Sequence, residues 1–393
     1  MLLILQKSMK SMQLVLNEFF QKLGSTILTA SASAYTQSRS KILHTGFVEL
    51  NKKAIVQTYY EDDDYRKYKG FRLLAVDGSK IRLPNEREIN NSFGTIKIKN
   101  QSNVEGQYAG AVASVLYDVL NNIAIDAILA PARAYEVKLA MEHLEHVRSN
   151  DLTIFDRGYI SYIFLASQVK AGNQYLGRCS KGSFSEAQEM FYSDAASRIV
   201  TLSCPRDKRK EARALELPLE IKVRLIRIIL DTGEVEVLVT SLLDEEKYPT
   251  EDFKELYYKR WGIETFYGTL KGRLNLENFT GKTVESVKQD FYSTIFISGL
   301  ESILTEDAQK ELDAKKENKN PQQVNKAVSF NAIKNNVIEL FYKENDNSKI
   351  LEQLTELFKT NPVIVRKERK VERKESSPKV LLNYHKRLKK LCF

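Results

Sequence analysis

The 393-residue chain is poor in cysteine and has a single tryptophan. Its three cysteines, Cys179, Cys204 and Cys392, are scattered, with no Cys-x-x-Cys pair. That pattern argues against a zinc ribbon or a disulfide framework and suits a reducing, cytoplasmic compartment. Long apolar runs are missing too. The opening "MLLILQKSMK" is far too short for a signal-peptide core or a spanning helix, and no later run approaches membrane length, so no membrane association is expected. Neither GxxxxGK[ST] nor GxGxxG occurs, so no glycine-rich phosphate loop is present, and no internal repeat is visible.

What is there suits a globular, multidomain protein. Hydrophobic residues make up 42% and aromatics 10%, enough for a real core at this length. The net charge is +9, and an acidic partner is plausible on that ground. The charge is uneven. Residues 361–393 hold eleven Lys or Arg against three Glu, nearly all of the net excess. Such a tail is an electrostatic handle for a polyanion or a solubilising extension.

Residues 1–70 read as a small, basic, helical DNA-binding domain closed by the acidic linker "EDDDYRKYKG". Within it "TASASAYTQSRSKI" reads as a helix that brings Arg39 and Lys41 close to a phosphate backbone. Residues 71–178 alternate strand and helix patterns. "FRLLAVDGSKIRLP" reads as strand, Asp77-Gly78 turn, strand, and "NSFGTIKIKNQSNVEGQ" as a polar loop. "YAGAVASVLYDV" and "IAIDAILA" are strands across a turn at Asn121-Asn122. A helix, the short strand "LTIF", a second helix and the strand "NQYLGR" follow. A mixed sheet flanked by helices is expected. Residues 179–245 read as a β-rich insertion. The helical pattern resumes over 246–305, and residues 306–393 form a polar, helix-prone C-terminal region, the candidate for dimerisation.

Three acids stand out. Asp77 and Asp156 each follow a strand of this sheet, and Glu264 lies on a helix after the insertion. Acids at strand ends and one on a helix can meet at a single point. Such a set suits hard cations, Mg²⁺ or Mn²⁺, which prefer oxygen ligands, and two such ions can serve phosphoryl transfer. In "YYKRWGIETFYGTLKGRL", read as one helix, Tyr257, Arg260, Glu264 and Lys271 fall at roughly 0°, −60°, −20° and −40°, from 3.6 residues per turn. They share one stripe, beside a packing face of Leu256, Ile263, Tyr267, Leu270 and Leu274. An ordinary solvated face with an Arg260–Glu264 pair is the plain alternative. On the functional reading Arg260 and Lys271 grip phosphates and Tyr257 hydrogen-bonds another.

This spacing is where the chain resembles a known family, the IS4-type DDE transposases. Their helix signature is Tyr, two residues, Arg, three residues, Glu, six residues, Lys, and Tyr257, Arg260, Glu264 and Lys271 match each interval. "AVDGSKIRLP" resembles the family's first-aspartate strand, "IFDRGY" its second-aspartate segment, and "LVTSLLD" its approach to the last acid. The resemblance covers about residues 70–300. It implies an RNase H-like core, a five-stranded mixed sheet with flanking helices interrupted by the β-rich insertion, with helical N- and C-terminal regions. It further implies cut-and-paste DNA transposition through a hairpin intermediate, with Asp77, Asp156 and Glu264 holding two Mg²⁺ or Mn²⁺ ions. The partner would be double-stranded DNA, bound by a homodimer that synapses two ends. One departure is visible. The family's insertion domain holds a flipped base with an aromatic, but "EVEVLVTSLL" has no tryptophan nearby. Trp261 is expected to pack or support its helix, with Tyr192 or Phe191 replacing the stack.

Other residues carry weaker signals. Arg157 is a phosphate contact or the partner of a nearby acid. "RDKRKEAR" touches DNA or forms a solvated loop. His143 and His146 lack a third zinc ligand, so a surface helix is expected there. The competing functions are an RNase H-fold nuclease that cuts without strand transfer, and a non-catalytic regulator that occupies transposon ends.

Overall fold

Strands buried on both faces read as near-continuous apolar runs, and two such runs form the centre of this fold. Residues 73–76 and 152–155 are all within 2% of full burial. They belong to β1 (Arg72–Arg82) and to the strand that pairs with it in parallel, Asp151–Phe155. In chain order the other strands of the sheet are β2 (Thr95–Lys99), β3 (Glu105–Asp118) and β4 (Ile123–Pro131). Asp151–Phe155 is then β5, followed by β6 (Gln174–Cys179), β7 (Ser197–Ser203), β8 (Glu220–Ile229) and β9 (Val235–Thr240). All nine form one mixed sheet, in the order β2-β3-β1-β5-β6-β9-β8-β7, with β4 on β3. The computed structural model describes residues 1–8, 10–24, 29–99, 105–315, 320–342 and 347–365. Cys392 and most of the basic tail lie outside the described residues.

The chain divides into two compact units. The first comprises residues 63–79 and 112–267. Its parallel ladder β1–β5–β6 is continued by antiparallel pairing of β6 with β9, β9 with β8 and β8 with β7. One end of the β1–β5 ladder is closed by a buried ion pair between registered neighbours. Arg72 Nε and Nη2 donate to Asp151 Oδ1 and Oδ2 at 2.8 and 2.7 Å. This bidentate fork satisfies both carboxylate oxygens where water cannot reach them. Gly177 of β6 is a packing glycine. A Cβ there would overlap the Phe155 ring.

The second unit comprises residues 1–62, 80–111 and 268–393. Its organising element is the 31-residue helix Val284–Ala314, opened by a capping box in which Thr283 and Ser286 satisfy each other's backbone N–H groups. The short helices Leu2–Gln6 and Thr45–Leu50 pack on it. The helix Ser348–Thr360 buries Leu354 and Phe358 in a cluster with Ala308, Ala332 and Ile333. Residues 1–62 therefore share a core with C-terminal helices instead of forming a domain of their own.

The structure departs from the sequence reading at four places. Asp77-Gly78 is no turn. β1 runs through it because pairing with β3 continues on the far side, where Leu83 N donates to Ala109 O at 2.8 Å. A ladder of hydrogen bonds outweighs local turn preference. The "loop" after Pro84 contains the helix Arg87–Phe93 and β2, with β2 paired antiparallel to β3. The sheet is larger than the five strands expected, since β7, β8 and β9 of the β-rich insertion and β2 bring it to nine. Finally, the signature segment is two helices, Asp252–Tyr258 and Trp261–Gly272. At the junction Arg260 N bonds Tyr257 O, Gly262 N bonds Lys259 O and Ile263 N bonds Arg260 O, a tightened turn.

Candidate active site

The β1–β5 register runs from Arg72↔Asp151 to Val76↔Phe155. The next residue on each strand is an aspartate, so Asp77 and Asp156 come out of the core side by side. Neighbouring strands lie about 4.8 Å apart. Both side chains are half-buried. The carboxyl ends of parallel strands are where open α/β sheets place their ligands.

Each aspartate has its own environment. Gly78 N donates to Asp77 Oδ1 at 2.9 Å. The Tyr267 hydroxyl lies 3.0 Å from the Asp77 carbonyl oxygen and 2.8 Å from that of Ala113, tying the second signature helix to β1 and β3. Burial pushes the Asp77 carboxyl up to about 6. The Gly78 N–H and the Arg260 charge oppose this, while the carboxylates of Glu136 and Glu264 add to it. At Asp156 burial also acts upward, but the Arg157 N–H and the charges of Arg178 and Arg260 prevail and hold it below the usual carboxylate range. Arg178, from β6, donates from Nε and Nη2 to Asp156 Oδ1 at 3.1 and 2.9 Å. Its Nη1 pairs with Glu236 of β9 at 2.6 Å.

Tyr257 and Arg260 reach the acids despite the broken helix. The Tyr257 hydroxyl donates to Asp156 Oδ1 at 3.2 Å, and Arg260 Nη2 pairs with Glu264 Oε1 at 3.0 Å. Tyr257 and Arg260 are 6% and 4% exposed. They face the acids, which corrects the expectation that they stand out as phosphate grips. Glu264 is 40% exposed. Lys271 donates to the Lys80 carbonyl at 2.7 Å, and burial lowers its pKa. Arg157 and Lys41 are exposed.

Arg39 is a further correction. It is 7% exposed, and its guanidinium bonds Gln289, Thr280, the Ser286 carbonyl and fully buried Asp290. A cation committed to a buried carboxylate is not offered to DNA. His143 differs from its expected surface place as well. It is fully buried, with Nδ1 2.6 Å from Asp126 Oδ2 and Nε2 3.0 Å from Ser114 Oγ. Those contacts join β3 and β4 to the turn His143–His146, and Ser114 is itself fully buried, so no substrate reaches the constellation. Trp261 is 46% exposed and lines a cavity of about 530 Å³ with Tyr257, Tyr258, Arg260, Ile228 and Leu230, where packing was expected.

Among the described residues no three His, Cys, Asp or Glu side chains are grouped closely enough to hold one ion. Arg178 and Arg260 engage the carboxylates of Asp156 and Glu264. The donor set is all oxygen, as hard divalent ions require. One buried polar atom beside the acids, the Tyr159 hydroxyl oxygen, has no hydrogen-bond partner. The residues therefore fit a hydrated cation. Arg178, Glu236, Tyr159 and Glu136 were not singled out from the sequence, and Tyr267 was read only as part of a packing face. The only signal for Arg178 is a charge inside an otherwise apolar strand.

A family model described as "Transposase DDE domain" matches residues 68–300, more than half of the chain. The chain belongs to the DDE transposase family, of the IS4 type. The strand order β4-β3-β1-β5-β6, with β1, β5 and β6 parallel, is its RNase H-like core. Over 270 residues the chain is 23% identical to Transposase InsG for insertion sequence element IS4 of Escherichia coli (strain K12), which covers 68% of the chain and 60% of InsG. It is 26% identical over 144 residues to Putative transposase InsZ of the same organism, 36% of the chain and 46% of InsZ. The chain is thus matched to less than two thirds of either relative's length. A cryo-EM structure of piggyBac transposase in a synaptic complex with hairpin DNA overlaps 91% of the chain and 74% of its own, at TM-score 0.43 and 9% identity. No helix among the described residues is long and apolar enough to cross a membrane.

Proposed function

We propose that the chain is a DNA transposase of an insertion sequence, cutting and rejoining DNA at Asp77, Asp156 and Glu264. The observation that carries this reading is the adjacency of Asp77 and Asp156 at the end of one parallel ladder, with the Arg260–Glu264 pair brought to them by the family's signature segment. When bound by these carboxylates, Mg²⁺ or Mn²⁺ ions, two in this reading, would supply Lewis-acid stabilisation of the attacking and leaving oxygens. The chain's own residues do the positioning. Tyr257 and Arg178 fix Asp156, Tyr267 fixes the backbone at Asp77, and Arg260 holds Glu264.

The same in-line displacement at phosphorus serves each step. Water cuts one strand and frees a 3′-hydroxyl. In this family that hydroxyl attacks the opposite strand to close a hairpin, and after reopening it attacks the target. The apolar cavity at Tyr258 and Trp261 supports the hairpin step, because it offers an unpaired base aromatic surfaces on which to stack. Tyr192, 72% exposed beside Lys181, is a second such surface. Exposed Arg157 and Lys41 are the proposed phosphate contacts, with Lys271 after rearrangement. Residues 1–70 are proposed to bind the ends of double-stranded DNA, and 306–393 to pair two copies in the synaptic complex.

The test is Mg²⁺-dependent cleavage of DNA carrying the inverted repeats that flank the reading frame. Wild type should nick and rejoin these ends, and Asp77→Ala, Asp156→Ala and Glu264→Ala should each reduce cleavage to background. Cleavage without joined product favours the nuclease reading. Binding without cleavage by the wild type would leave the regulator.

A further inference from the structure

Two residues beside the acids have no part in the reading above. Tyr159 is 2% exposed, and its hydroxyl is buried without a hydrogen-bond partner. Leaving a buried hydroxyl unsatisfied costs about 1–3 kcal/mol, so an orphan of this kind needs a reason. Its backbone N–H donates to the Asp156 carbonyl at 3.1 Å, in the turn that follows the second aspartate. The ring packs on Phe155 and Phe164, where phenylalanine would serve equally well.

Glu136 opens the helix Glu136–Glu142, which packs against the turn Arg157–Tyr159. Its side chain lies over Gly78. A Cβ on Gly78 would stand 3.0 Å from Glu136 Cδ and 3.3 Å from Oε1. The glycine after the first aspartate thus leaves room for a fourth carboxylate next to it. Among the described residues no Lys or Arg forms an ion pair with Glu136. Burial raises the pKa of the Tyr159 hydroxyl, and the charges of Asp77, Glu136 and Asp156 add to this while Arg260 opposes it. Tyr159 and Glu136 thus sit on two elements that pack together, one following Asp156 and the other lying against the residue after Asp77.

We propose that Glu136 and the Tyr159 hydroxyl are positioning residues that hydrogen-bond the water shell of a divalent cation held at Asp77. Glu136 accepts from coordinated water, and the tyrosine donates to or accepts from it. This satisfies the orphan hydroxyl and adds negative charge next to Asp77. The inference rests on the reading of Asp77 as a metal ligand.

The test is Mn²⁺ binding to the full-length, DNA-free chain, followed by the electron paramagnetic resonance signal of free Mn²⁺. Partners of this kind typically change metal affinity about 10- to 100-fold. Tyr159→Phe and Glu136→Gln should each weaken Mn²⁺ binding about tenfold, with Glu136→Asp recovering part of the loss. Metal-free Tyr159→Phe should melt at the wild-type temperature or above, since its hydroxyl has no bond to lose in that state. Wild-type affinity in either variant, with Asp77→Asn weakened, overturns the inference and leaves the acid site standing. Wild-type affinity in Asp77→Asn as well overturns the site reading together with the inference. A lower metal-free melting temperature for Tyr159→Phe would assign the hydroxyl a purely structural bond and overturn its role.

Discussion

Asp77 and Asp156 stand side by side where the parallel ladder of β1 and β5 ends, yet the fold treats their charges in opposite ways. Asp77 is half-buried with two carboxylates acting on it, while Asp156 is gripped by Arg178 and Tyr257. An acid–cation–acid arrangement of this kind keeps one carboxylate charged and the other easily neutralised before any metal or DNA arrives.

The two aspartates should therefore show opposite linkage to pH. The Asp77 carboxyl, pushed up to about 6, binds a proton more tightly folded than unfolded. Its ionisation costs stability, so the fold is favoured below the unfolded value of about 4 and loses that advantage as pH rises through 6. Asp77→Asn should melt above wild type at pH 7.5, and the gap should close as the pH falls towards 4. Asp156, held low, contributes stability above the unfolded value that is lost as pH falls through its folded value. Asp156→Asn should melt below wild type at pH 7.5. Differential scanning calorimetry from pH 4 to 8 checks both signs, and a shared sign would refute this electrostatic picture.

Arg178 bridges Asp156 and Glu236 across β5, β6 and β9. Arg178→Ala leaves both acids without their cation in a half-buried place, between the surface and core cases. A loss of about 1–2 kcal/mol is expected. Urea unfolding gives the number, and adding Glu236→Ala should cost less in this background than in wild type because the pair is already broken.

Arg39 and Lys41 are two residues apart but should behave differently. Arg39→Ala strands the fully buried Asp290, a change worth about 3–5 kcal/mol when a buried pair is broken. Lys41→Ala should leave the melting temperature unchanged and flatten the salt dependence of DNA binding by about one unit of slope. Melting curves and binding isotherms at several salt concentrations distinguish the two.

His143 should act as a structural core residue. His143→Ala removes two buried hydrogen bonds and opens space between β3 and β4, with an expected loss of about 2–4 kcal/mol. Elemental analysis of the purified wild type should find no stoichiometric zinc, and a bound zinc equivalent lost in this variant would reverse the assignment.

Much of the site was legible in one dimension. Asp77, Asp156 and Glu264 are visible because short-range patterns mark them: apolar runs ending in an acid, and a fixed spacing of Tyr, Arg, Glu and Lys. Such patterns reflect the period of a strand or helix, which neighbouring residues alone dictate. β3, β4, β5 and β6 were readable for the same reason, whereas β1 was read as two strands. The signature spacing survived even though the helix breaks at Lys259–Arg260, because Tyr257 and Arg260 still reach the acids across the turn.

Partnership is what only the tertiary structure decided. Whether Arg39 faces DNA or Asp290, whether His143 is outside or inside, and whether residues 179–245 form their own sheet or widen the first all depend on contacts between distant segments. Burial of a charge is set by what packs over it, and strand pairing by hydrogen bonds across long loops. Arg178, Glu136 and Tyr159 come near the aspartates from three different elements, and no local pattern in the sequence records it.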